Sequence, residues 1–295
     1  MKKRLDKFAT HFLIAGSLFV LSSLLPSAAQ AHPSISIIVD SRGNIFYSDL
    51  THVWRIAPDG TKKIAVSNVH THELWLSRDD VLYGEDVTNI GEAYRHRVWA
   101  LYPDGRLRDE VPWREGHPVQ YADYSFARDA QGRSYVLRRD EKQIDVRTHE
   151  GIERTISLAA YPGYAHWLTV DGSGVVNVAV GAQMISVEAG STEAKVVADE
   201  LVERSEEFDY VHDRHAIMGL WYGGQGEVYV AVFAGQVVKR VAPSGEVSVV
   251  VRNEDAWSVT GGAFDKAGAL LLLEYSTSNE VRVRRIRKNG AEEIL

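Results

Sequence analysis

The sequence contains no cysteine in 295 residues. A disulfide framework, a thiolate metal site and a lipid-modified cysteine anchor are therefore excluded. Past residue 31 it also lacks any run of 18 apolar residues, so no membrane-spanning helix is expected there. Positive charge is not in surplus: Lys and Arg number 33 against 40 Asp and Glu, a net charge of −7. Nucleic acid and anionic lipid are accordingly not expected partners. A sustained apolar stripe of 3.6-residue period is missing too, and only 199–209 (DELVERSEEFD) has room for a turn or two of helix.

What is present begins with a leader. Lys2, Lys3, Arg4 and Lys7 form a basic start, Phe12 to Leu25 an apolar core, and Ala29-Gln30-Ala31 a small-residue cleavage site. This is the pattern of a secretory signal peptide over 1–31, with cleavage after Ala31. Its removal takes away four basic residues and one acidic one, leaving 29 basic against 39 acidic side chains. A periplasmic or secreted protein is expected, soluble, without stable membrane insertion, and monomeric.

Residues 32–295 repeat one pattern six times: a short apolar strand, a turn with Asp and Gly, a second strand, a polar gap, a third strand, then a Gly turn. The clearest copy is IIVDSRGNIFYSDLTHVWRIAPDGTKKIAV at 37–66; the others occupy 74–111, 126–156, 168–197, 219–251 and 262–295. Units of about 44 residues match a four-stranded propeller blade. The runs are rich in Val, Ile, Tyr and Trp, as strands are, and Pro58-Asp59-Gly60, Pro103-Asp104-Gly105 and Asn289-Gly290 supply hairpin turns. The expected fold is all-β: one domain, a six-bladed β-propeller with four antiparallel strands per blade. Inner strands should start near residues 36, 74, 125, 168, 218 and 261. Because the first and last units each supply four strands, closure is expected without strand exchange.

The first unit resembles an NHL repeat, through Asp40, Gly43, Asn44, Tyr47, Asp49, His52, Arg55, Pro58 and Gly60. Similar six-bladed propellers include the gluconolactonase/regucalcin-like lactonases, the strictosidine synthase-like proteins and the peptidyl-hydroxyglycine amidating lyases. The resemblance implies the fold and leaves the activity open, because this architecture carries many chemistries. In the lactonases an entry Glu, matched here by Glu73 in Glu73-Leu74-Trp75, ligates Ca²⁺; for their later ligands, an Asn and an Asp, the only counterpart here is Asp123. The amidating lyases hold Zn²⁺ on three axial histidines.

In a propeller the first strand of each blade lines the channel, and its entry end opens on one face. Aligning the entries VHTHELWL, QYADYSFA, GYAHWLTV and DRHAIMGL gives a ring of His72, Asp123, His166 and His215, each two residues ahead of a strand position. Three imidazoles and a carboxylate form a first-row metal constellation for Zn, Fe, Cu or Mn, with Ca²⁺ disfavoured. The ordinary alternative is that each histidine caps a strand end. His52, His96 and His149 are read as structural. Around the ring, Glu85 is the expected general base, Arg138 an oxyanion or carboxylate clamp, and Tyr121 a further catalytic group. The insertion at 85–97 should stand on the histidine face as a lid or wall.

Two function classes follow. One is a metal-dependent lyase or hydrolase, lactonase-like or amidating-lyase-like, acting on a small polar substrate. The other is a non-catalytic NHL-like propeller that binds a peptide, glycan or protein partner.

Overall fold

A computed structural model of the protein describes residues 33–90, 93–116 and 127–295. The leader expected at 1–31 lies outside them, as do Tyr121 and Asp123. Six antiparallel sheets follow one another along the chain. Blade 1 holds β1 (Ile37–Val39), β2 (Ile45–Ser48), β3 (His52–Ile56) and β4 (Lys62–Ser67). Blade 2 holds β5 (Leu74–Leu76), β6 (Leu82–Ile90), β7 (Ala93–Leu101) and β8 (Leu107–Glu115). Blade 3 holds β9 (Ser134–Arg138), β10 (Gln143–Thr148) and β11 (Gly151–Ser157). Blade 4 is β12 (Ala165–Val170), β13 (Val176–Val180), β14 (Gln183–Val187) and β15 (Ala194–Ala198). Blade 5 is β16 (Ile217–Tyr222), β17 (Val228–Val232), β18 (Val237–Val241) and β19 (Val247–Arg252). Blade 6 is β20 (Trp257–Phe264), β21 (Leu270–Ser276), β22 (Val281–Ile286) and β23 (Glu292–Ile294).

This is the expected six-bladed propeller. In blade 3 the innermost strand is represented among the described residues by the Arg128–Ser134 bridge and the bond from Tyr135 N–H to Ala127 O. Strand order runs inside to outside in chain order, and blades 1 and 6 are each built from their own four strands. No α-helix occurs among the described residues, and 199–209 forms irregular chain and turns.

Local chemistry explains the first hairpin of most blades. Asp40 Oδ1 accepts the backbone N–H groups of Arg42 and Asn44, closing the turn so that Gly43 takes φ 84°. The same side-chain-to-backbone turn recurs at Asp129, Asp171 and Asp265. Blade 2 departs from the pattern. There Ser77 Oγ accepts the N–H of Val81, and Asp80 takes the positive-φ position at 56°.

Inner strands approach closely where glycine allows it. A Cβ on Gly261 would lie 1.8 Å from Ile35 O, and one on Gly219 would lie 2.3 Å from Thr260 O. Blades 5, 6 and 1 therefore pack backbone against backbone at the axis. The closure is fastened further out by Tyr275 of blade 6, whose hydroxyl accepts from Ser34 N–H at 3.3 Å and donates to Ser48 O at 3.1 Å. Between blades lie apolar layers such as Tyr135, Ile144, Ile156, Val178 and Ile185, all buried.

Candidate functional site

The entry ends of the inner strands share one face, because every inner strand runs in the same direction along the channel. Among the described residues, blade 2 is the most elaborate on that face. The segment 69–73 leads into β5, and Glu85 on β6 caps it: Glu85 Oε1 accepts the N–H of His72 at 2.7 Å and of Glu73 at 3.1 Å. Asp86 does the same for His70 at 3.0 Å while pairing with Arg97 at 3.0 Å. The inserted segment forms an extension of the β6–β7 hairpin, paired continuously from Leu82–Leu101 to Ile90–Ala93. Its base touches His70 through the Val87 N–H to His70 O bond. The hairpin therefore leaves from the histidine face, as a wall beside the channel mouth.

His72 belongs to this blade 2 cluster. Its Nδ1 lies 3.6 Å from Glu85 Oε1, its ring meets His70 edge-on at 4.7 Å, and its carbonyl accepts from Ser34 Oγ and Ile35 N–H. His70 Nδ1 in turn lies 3.1 Å from Leu50 O. His166 and His215 form a different pair, ring centroids 5.0 Å apart and nearly perpendicular. His166 is buried at the start of β12, between Tyr164 at 5.7 Å and Trp167 at 4.4 Å. His215 ends a short 3-10 turn, Asp213–His215, ahead of β16. The structure thus brings together two of the three expected histidines and ties the third to Glu85.

Among the described residues no group of three or more His, Cys, Asp or Glu is placed to hold one metal ion. The donor chemistry of the pair points the same way. Arg214 Nε donates to His215 Nε2 at 2.9 Å, so that nitrogen's lone pair is already engaged by a cation. A divalent ion on it would have to displace the guanidinium and sit beside its charge. Among the described residues, then, His72, His166 and His215 do not share one ion's position, and Asp123 lies outside them.

The titratable centre of the site is a carboxyl pair. Burial pushes Glu85 up to about 7, against the opposing pull of the N–H groups of His72, Glu85 and Glu73 and of nearby His70. Glu73 is also pushed up to about 7, by burial first and by the Glu85 charge second, with Arg139 opposing. Glu73 is half-buried and lines the channel cavity of about 430 Å³, together with inner-strand residues such as Trp75, Thr169, Leu220 and Gly262. Glu85 is 6% exposed; its Oε2 has no hydrogen-bond partner among the described residues. Two such acids side by side do not both ionise readily, so the pair holds a proton into the neutral range.

Of the residues expected around the ring, Arg138 is held within blade 3 by Glu141 at 2.8 Å and by buried Asp145 at 3.8 Å. The guanidinium that reaches the site is Arg139, one residue later. It donates from Nε and Nη2 to His166 O at 3.4 and 3.3 Å and lies over the Trp167 ring at 5.6 Å. Arg138 is the last residue of β9, whereas Arg139 lies past the strand, in the turn to β10 that the Lys142 N–H to Arg139 O bond closes. Glu274 is fully buried among Arg282, Arg284 and Asn253, and Tyr275 seals the blade closure, so both are structural. His96 is buried with Nδ1 2.9 Å from Gly116 O, and His149 is exposed beside Glu150. Glu73, Arg139 and Arg214 were less legible in the sequence; the available signal was the adjacency of Glu73 to His72, of Arg214 to His215 and of Arg139 to Arg138.

No protein-family model matches the sequence, and no curated protein matches it. Solved structures do. Virginiamycin B lyase from Staphylococcus aureus superposes with a TM-score of 0.54 at 13% identity, over 88% of this chain and 82% of that one. An auxiliary nutrient binding protein from Bacteroides ovatus gives 0.55 at 11% identity, over 88% and 69%. At such identities the likeness establishes architecture and nothing finer. The chain is a six-bladed β-propeller of the shape shared by these enzymes and binding proteins.

Proposed function

We propose that this protein is an exported lyase or hydrolase that moves a proton on a small polar substrate at the channel mouth. The carrying observation is Glu73: a carboxyl held near neutrality, lining a cavity and placed beside Arg139, which also touches His166. A general base works best when its affinity for protons matches the ambient pH, and burial beside Glu85 gives Glu73 that property. In this reading Glu73 takes the proton and His166, adjoining His215, returns one to the departing group. Glu85, with Oε1 fixed by two N–H bonds, keeps the proton affinity of Glu73 high and is a positioning residue. The leader pattern at 1–31 supports export.

The test is a turnover screen of purified protein against small lactones, carboxylic esters and β-substituted carboxylates between pH 5 and 9. Turnover should fall on the acid side near pH 7 and be lost in Glu73→Gln and in His166→Asn, both still folded. Binding of members of the set without turnover of any would refute catalysis and make the protein a non-catalytic ligand-binding propeller.

A further inference from the structure

Two guanidinium groups border the His166–His215 pair, and each is anchored along one edge only. Arg139 uses Nε and Nη2 on His166 O, and its plane lies over Trp167. Arg214 uses Nε on His215 Nε2. Neither makes an ion pair with a carboxylate among the described residues, and neither Arg139 Nη1 nor the two Nη atoms of Arg214 have a hydrogen-bond partner there. Elsewhere in the fold guanidinium groups are commonly neutralised: Arg97 by Asp86 and Asp109, Arg133 by Asp129, Arg282 and Arg284 by Glu274. In a chain with net charge −7, two forks outside any salt bridge among the described residues, Arg139 with only Glu73 of the acids acting on it, are an anion receptor in form beside one imidazole pair.

We infer that the site selects a small organic carboxylate, gripped between Arg139 and Arg214 with its reacting carbon against His166. The guanidinium fork matches a planar carboxylate with two parallel N–H bonds, which a lysine ammonium cannot reproduce. Trp167 and the His166 carbonyl hold Arg139 in one orientation before the ligand arrives, so little side-chain freedom is lost on binding. The neighbouring acids do not cancel this field, because the buried Glu73–Glu85 pair retains a proton into the neutral range and so carries less than two negative charges. This inference deepens the catalytic reading and rests on it for the word substrate; the anion site itself stands on the two arginines.

Succinate is the probe, with succinamide as its neutral counterpart and inorganic phosphate as a non-planar anion. Binding is followed at pH 6.5 through the imidazole carbon-bound proton resonances of the full-length processed protein. Succinate should shift the His166 and His215 signals saturably, and succinamide should not. Arg214→Gln should weaken succinate at least tenfold, Arg139→Gln likewise, and Arg139→Lys should recover only part of the loss. Arg214 is exposed, so its variant carries the test if Arg139→Gln does not fold. Equal binding of succinamide, phosphate binding as tight as succinate, or unchanged affinity in Arg214→Gln would each overturn the inference. Arginine-dependent succinate binding without turnover of any compound would sink the catalytic reading alone. Turnover of neutral esters with KM unchanged in both arginine variants would sink the carboxylate selection alone.

Discussion

Glu85 Oε1 sits 2.7 Å from the backbone N–H of His72 and so fixes the point at which blade 2 turns into the channel. The same oxygen also takes the Glu73 N–H, which makes one side chain responsible for two backbone donors at a strand entry. Removing the acceptor strands both donors. Glu85→Ala should cost about 2–4 kcal/mol in urea unfolding, whereas Glu85→Gln keeps an oxygen in place and should cost under about 1 kcal/mol at pH 7. Equal losses in the two variants would show that the cap is not what the carboxylate supplies.

The carboxyl pair also sets a pH dependence. Both folded-state values are raised, from the ordinary 4.5 to about 7, so the native state binds more protons than the unfolded chain between those limits. The stabilisation is fully present below about pH 4.5 and is lost as pH rises through about 7. Subtracting the melting curve of Glu73→Gln, Glu85→Gln from that of the wild type should isolate a decline of roughly 2–6 °C over that window. A difference that rises with pH instead would contradict the burial of the pair.

At the axis, glycine is required by space. Gly261→Ala puts a methyl group 1.8 Å from Ile35 O, an approach relieved only by separating blades 6 and 1. The expected outcome is a loss of more than about 3 kcal/mol or failure to fold. Gly224 has no atom within 4 Å of its Cβ position, and Gly224→Ala should stay within about 0.5 kcal/mol. Chemical denaturation of the two variants side by side decides the matter.

Tyr275→Phe removes the hydroxyl shared by Ser34 N–H and Ser48 O and leaves the ring in place. Because the residue is buried, about 1–3 kcal/mol should be lost, and amide exchange should quicken first at Ser34 and in β1. Uniform acceleration across all six blades would mean that the closure is not a separate weak point.

Cobalt(II) titration tests the donor argument. With Arg214 on His215 Nε2, no intense visible absorption of a tetrahedral nitrogen-ligated ion should develop on adding one equivalent. Development of that band, and its loss in His215→Ala, would restore the metal centre expected from the ring of histidines.

What the sequence determined by itself was what short-range physics controls. Six alternating apolar units set the strands, and Asp40, Asp129, Asp171 and Asp265 set their first turns through bonds to N–H groups two to four residues away. Closure without strand exchange followed from the same count of strands. The histidine face could be located too, since inner-strand direction is common to all blades. Which of its residues meet was decided only by tertiary structure. His166 and His215 lie next to each other because blades 4 and 5 pack directly, while His72 is drawn to Glu85 in its own blade. Arg139 rather than Arg138 reaches His166 because Arg138 ends β9 and is held by Asp145 of its own blade, while Arg139 stands in the turn beyond it. Glu73 has its raised proton affinity from burial and from Glu85 across a hairpin, a property of surroundings that no single stretch of chain encodes.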